Sequence, residues 1–95
     1  LPNQGLVDGG VKNGPKVDAG KQGKHVPSHN NNDLNKSQWP EGDDGVKATQ
    51  EAWVKGKEVN SGRNGVKKRY NHPKYGEIEV HMDSKGNIHG YPTGR

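Results

Sequence analysis

The stretch Glu77-Ile78-Glu79-Val80-His81-Met82 constrains the fold of this chain more than any other. Its strict alternation sends Ile78, Val80 and Met82 to one face of a strand and Glu77, Glu79 and His81 to the other. Asp83-Ser84-Lys85-Gly86 follows, which fits a type I turn closed by a left-handed glycine, the three-residue hairpin with a G1 bulge. The bulge fixes the register. It sets Met82 opposite Ile88, Val80 opposite Gly90, His81 opposite His89, and Glu79 opposite Tyr91. One face of the hairpin is then apolar, and the other gathers His81, His89, Glu79 and Tyr91. A plain four-residue loop would instead put His89 and Tyr91 among the apolar side chains.

An apolar sheet face needs a cover, and Asp43 to Lys55 is the one convincing helix. Val46, Thr49, Gln50 and Trp53 fall on one stripe at helical spacing, flanked by Ala52 and Val54. Asp43 or Asp44 can cap the start, Glu51 and Lys55 form an i,i+4 pair, and Gly56 can close the end in the left-handed conformation. Trp53 is the expected principal core residue, and Trp39 in the turn Ser37 to Gly42 is expected to anchor that turn to the core. Glu58-Val59 and Val66 to Tyr70 read as further strands around a turn at Ser61 to Gly65, with a loop at Asn71 to Gly76. The fold class is α+β: an N-terminal helical or loop segment and one main helix packed on a small twisted antiparallel sheet.

Little else is available to build a core. Leu, Ile, Val and Phe supply fourteen of 95 residues, Gly supplies fifteen, and mean hydropathy is −1.31. Such a domain has a stability of only about 3–5 kcal/mol on its own. Leu1 to Ala19 shows no sustained apolar period and reads as a linker, with the folded domain running from residue 20 to 95. No apolar run is long enough for a signal peptide or membrane span, so membrane binding by the isolated domain is not expected. A start at Leu1 suggests a piece of a longer protein. With no cysteine there is neither a disulfide nor a thiolate metal site. The net charge of +4 favours anionic partners, RNA among them.

The candidate chemistry sits in two blocks. Gly20 to Asn32 carries His25 and His29 beside Lys21 and Lys24, with almost no apolar residue to make it core. RNA cleavage without a metal needs a base for the 2′-hydroxyl, an acid for the leaving 5′-oxygen, and donors on the phosphate. Histidine suits both proton transfers near neutral pH. The candidate catalytic residues are His25, His29, His81 and His89, with Lys21 and Lys24 as phosphate contacts. Tyr91 can stack a base or donate to phosphate. Lys67, Lys68 and Arg69 form the densest basic run and are expected to track an RNA backbone; alternation separates Lys68 from Lys67 and Arg69. His72, before Pro73, reads as incidental. Two rivals stand beside this reading: a metal nuclease with His25, His29 and a hairpin histidine as ligands, and a basic RNA-binding module without activity.

Gly20-Lys21-Gln22-Gly23-Lys24-His25-Val26-Pro27-Ser28-His29-Asn30-Asn31 resembles the opening of C-terminal toxin domains in bacterial polymorphic and contact-dependent growth inhibition toxins. Gln50 to Trp53 and Val80 to Pro92 also look like segments of such domains. The resemblance covers the chain from Gly20 to the end. It implies a ribonuclease of the barnase/EndoU/colicin/RelE-like group (a BECR-like fold), needing no cofactor and cutting tRNA or other structured RNA to a 2′,3′-cyclic phosphate. It also implies a cognate immunity protein, acidic where it meets this surface, and delivery as part of a larger secreted or cell-surface protein that acts in the target's cytoplasm. Ser28 stands where the pattern has Gly, and a positive φ there would strain the loop. The two histidine blocks can form one site only if Lys21 to Asn32 folds across the polar face of the hairpin.

Overall fold

The computed structural model describes residues 14–59 and 65–94. The expectations for Leu1 to Asn13 and for the turn at Ser61 to Asn64 lie outside the described residues. The fold is α+β, with a four-stranded antiparallel meander in the order β1 (Lys57–Val59), β2 (Lys67–His72), β3 (Gly76–Met82) and β4 (Ile88–Pro92). The β3–β4 register is the one the G1 bulge dictates: Glu79 faces Tyr91, Val80 faces Gly90, His81 faces His89 and Met82 faces Ile88. Gly86 takes φ 85°, and its N–H donates to the Asp83 carbonyl at 3.1 Å. Asp83 Oδ1 also accepts from the Lys85 and Asn87 amides at 2.8 and 3.1 Å, so its side chain holds the turn that sets the register. β2 runs further than Tyr70 and turns into β3 almost at once, pairing His72 with Gly76; the expected loop from Asn71 to Gly76 is mostly strand and tight turn.

The main helix, α2 (Val46–Lys55), starts later than Asp43, and neither aspartate is its cap. Gly45 is the N-cap at φ 69°, while Asp43 and Asp44 accept from the amides of Gly45 and Val46 two residues on. The cause is packing. The Trp39 indole lies against Gly45 where a Cβ would sit, so the chain must cross it at a glycine before turning helical. The buried stripe also differs from the expected one. Ala48, Thr49 and Ala52 face the sheet, and Trp53 is only half-buried. The core residue is Trp39, 1% exposed, clustered with Ala48, Ala52, Ile78, Val80 and Ile88. Small helix residues let the backbone sit close over the sheet, and the turn tryptophan fills the space that Trp53 was expected to fill. Gly56 is extended (φ −76°, ψ 172°), not left-handed, because the chain passes straight from the helix into β1.

β4 is an edge strand, and its outward backbone groups would be unpaired without cover. Within the segment expected as linker, residues 16–18 supply part of that cover. Ile88 N–H donates to the Lys16 carbonyl and Asp18 N–H donates to the Ile88 carbonyl, both at 2.8 Å, with Val17 bridging Ile88 in parallel. The short helix α1 (Ala19–Gly23) follows, with Asp18 as its N-cap accepting from the Lys21 amide. Residues 24–42 then loop over the end of the sheet. Asn32 ties this loop by donating to the Val26 carbonyl and to Gln38. Ser28 has φ 72°, the one non-glycine residue with a positive φ among the described residues.

Candidate functional site

Register builds the site. On the face away from α2, two cross-strand rows run over the sheet: Lys57, Arg69, Glu79 and Tyr91 in one, and Lys67, His81 and His89 in the other. Glu79 anchors the first row. Its Oε1 accepts from Arg69 Nε at 2.8 Å, and its Oε2 accepts from the Tyr91 hydroxyl at 2.7 Å and from His81 Nε2 at 2.9 Å. Burial pushes this carboxyl up, but the hydrogen bonds from Tyr91, Arg69 and His81 outweigh that and hold it at about 2. Glu79 is therefore an ionised anchor with three hydrogen bonds on its two oxygens. Burial and the same carboxylate push the Tyr91 hydroxyl well above its usual range, so it stays a neutral donor. His81 and His89 stack with centroids 5.2 Å apart and planes inclined by 15°.

The third imidazole arrives from a different part of the chain. His25, just past α1, stacks on Tyr91 at 4.6 Å and on His89 at 6.2 Å. Its Nδ1 lies 2.8 Å from the Ser37 carbonyl oxygen, which can only accept. The proton of neutral His25 is therefore on Nδ1, and Nε2 keeps its lone pair. Burial lowers the pKa of His25, an effect the Ser37 bond opposes and Lys36, His81 and Lys24 reinforce. Burial and the charges of His81 and His25 take His89 down to about 4. Both are neutral imidazoles at pH 7 in the free protein.

No known protein family, characterised protein or solved structure matches the chain. The geometry of the site is what bears on its chemistry.

Of the four candidate histidines, His25, His81 and His89 come together and His29 does not. His29 is exposed, rests against Gly23, and accepts from the Asn31 amide through Nδ1 at 3.0 Å. Gly23 and Pro27 interrupt the helix, so the four-residue spacing from His25 does not put His29 on a shared face. This also removes the His25–His29–hairpin ligand set. Among the described residues no group of three or more His, Cys, Asp or Glu is placed to hold a metal ion.

The basic residues divide as alternation requires. Lys67 and Arg69 share the histidine face, and among the described residues Arg69 bonds Glu79 through Nε alone, leaving the end of its guanidinium for another anion. Lys68 lies on the opposite face, donating to the Trp53 carbonyl at 3.0 Å with its ammonium 4.4 Å from the centre of the Trp53 ring, so it does not line this site. Lys21 pairs with Asp83 at 3.3 Å and Lys24 is exposed. His72 donates from Nε2 to Glu51 and accepts the Lys74 amide on Nδ1, with both ring nitrogens engaged away from the site.

Three features of the site lie beyond the sequence-based expectations: the role of Glu79 as anchor, the Ser37 carbonyl that sets the His25 tautomer, and Gln22. The signal for Glu79 was present: a tight turn from His72 to Gly76 places Arg69 opposite it. The Ser37 carbonyl left none, because any residue type could supply it.

Proposed function

We propose that this chain is a metal-independent endoribonuclease domain of the polymorphic-toxin kind, cutting single-stranded or loop regions of RNA, tRNA among them. The observation that carries the reading is the meeting of three imidazoles from two distant sequence blocks beside a phenol and an arginine-bound carboxylate. His25 Nε2 takes the proton of the 2′-hydroxyl as that oxygen attacks the adjacent phosphorus. The bond from phosphorus to the 5′-oxygen breaks, and the departing oxygen receives a proton from Nδ1 of His81 in its doubly protonated form. Glu79, on Nε2 of the same ring, orients it and balances its charge, as a carboxylate does for a catalytic histidine. The products are a 2′,3′-cyclic phosphate and a free 5′-hydroxyl. His89, between the two in the stack, donates to a phosphate oxygen.

The polar face offers a path for the rest of the RNA. The loop carrying His25 closes the β4 side, so the backbone approaches over β1 and β2, where Lys57, Lys67 and Arg69 supply the positive charge. A cognate immunity protein would cover this face with carboxylates. No helix among the described residues is long and apolar enough to cross a membrane. Total RNA incubated with the protein in EDTA tests the reading: cleavage there supports acid–base chemistry, and cleavage only on restoring a divalent ion overturns it. Salt-sensitive binding without cleavage would instead mark an RNA-binding module.

A further inference from the structure

We infer that Gln22 is a positioning residue that fixes the His25 wall against His89 and Tyr91. Gln22 is 2% exposed, polar, and one of the largest fully buried side chains described. Its Oε1 accepts from the Gly90 amide at 2.8 Å, and its Nε2 donates to the Asp44 carbonyl at 3.0 Å and to Thr49 Oγ1 at 3.2 Å. Every hydrogen-bonding site on that amide head except part of Oε1 is thereby directed, and α1, the start of α2 and β4 meet on it.

The place on β4 is what gives this bond consequence. Gly90 lies between His89 and Tyr91, the two residues on which His25 stacks. Its carbonyl accepts from Trp39 Nε1 at 3.0 Å, so both outward backbone groups of Gly90 are held by side chains that flank His25 in sequence. The Trp39 amide in turn donates to the His25 carbonyl at 2.8 Å. Gln22 on one side and Trp39 on the other thus tie the chain that carries His25 to the same glycine. A shift of Gln22 along the edge would move His25 over the pair below it. The kinetic consequence rests on the ribonuclease reading; the geometric one does not.

Gln22→Met keeps the length of the side chain and removes all three bonds; Gln22→Glu keeps an acceptor for Gly90 but turns a carboxylate oxygen toward the Asp44 carbonyl. Each is followed by thermal melt, by NMR titration of the histidine rings, and by RNA cleavage. In a folded Gln22→Met, His89 loses the charge and cover of His25, so its titration moves up from about 4 toward the ordinary 6.5. The kcat falls roughly 10–100-fold, the cost of an ångström-scale misplacement, with KM changed little; Gln22→Glu lies between it and the parent. A folded variant of either kind with parental kcat and unchanged histidine titrations overturns the assignment. If no RNA is cleaved by any form, the titrations still decide it. If neither variant folds, hydrogen exchange of the Gly90 amide in the unsubstituted protein decides: exchange only through global unfolding upholds the clamp, and exchange at the rate of an open edge overturns it.

Discussion

His25 stacks on Tyr91 with ring centroids 4.6 Å apart and planes inclined by 24°, although the two lie near opposite ends of the described chain. The contact joins the loop after α1 to the last strand, and it makes one site of two histidine blocks. His25→Ala and His81→Ala should each lower RNA cleavage by roughly 10²–10⁴-fold, the usual loss on removing a proton-transfer group. His89→Ala should lower it by roughly 10²–10³-fold, the usual loss on removing a donor to the developing charge. His29→Ala should stay within about twofold, as exposed positions generally do. Equal loss from His29→Ala and His25→Ala in a cleavage time course would mean that the exposed histidine acts on substrate.

The acidic limb of the activity profile should lie below the usual histidine range. Burial lowers His25, so the base stays unprotonated to a pH under 6.5 and kcat/KM persists there. The profile is read at substrate well below KM, where it reports the free protein. An acidic limb centred above 6.5 would show that a different group takes the proton.

Glu79 should govern acid stability. Its carboxyl titrates at about 2 in the folded protein against an ordinary 4.5, so the unfolded chain binds more protons between those values. The stabilisation it gives is complete above about pH 4.5 and is lost as pH falls through about 2. Glu79→Gln should cost roughly 2 kcal/mol at pH 7, from urea denaturation, because the Arg69 and His81 bonds lose their charged acceptor. The variant should also lose stability less steeply from pH 5 to pH 3. Parallel curves for the two proteins would contradict the assigned anchor. His89 acts in the same direction at higher pH: depressed to about 4, it adds stability above 6.5 that fades between 6.5 and 4.

Lys67 and Lys68, adjacent in sequence, should behave oppositely. Lys67→Ala weakens RNA binding and lowers the salt slope by about 1, since it removes one phosphate contact. Lys68→Ala leaves the slope unchanged and lowers stability by about 1 kcal/mol through its lost contact with the Trp53 ring. Filter binding across a salt series separates the two.

How far the fold could be read ahead depended on how local its determinants were. The β3–β4 register followed from six alternating residues and a Gly86 turn, and the pairing of His81 with His89 came with it. Antiparallel alternation also separated Lys68 from Lys67 and Arg69. The helix stripe was read one position round, because Trp53 carries more hydrophobic weight than Ala48 and Ala52, whose small size is what lets α2 approach the sheet. Trp39 took the core for a reason visible only in three dimensions: its turn lays the indole on Gly45 while Nε1 still reaches the Gly90 carbonyl. Long-range pairings such as Gln22 with Gly90 have no sequence period to announce them.

The chemistry of the cut end tests the central claim most directly. RNA incubated with the protein in EDTA should yield fragments ending in a 2′,3′-cyclic phosphate with a 5′-hydroxyl on the downstream piece. Those ends should be missing with His25→Ala. Fragments ending in a 3′-hydroxyl with a 5′-phosphate would contradict the account, because a 2′-hydroxyl that attacks its own phosphorus cannot produce them.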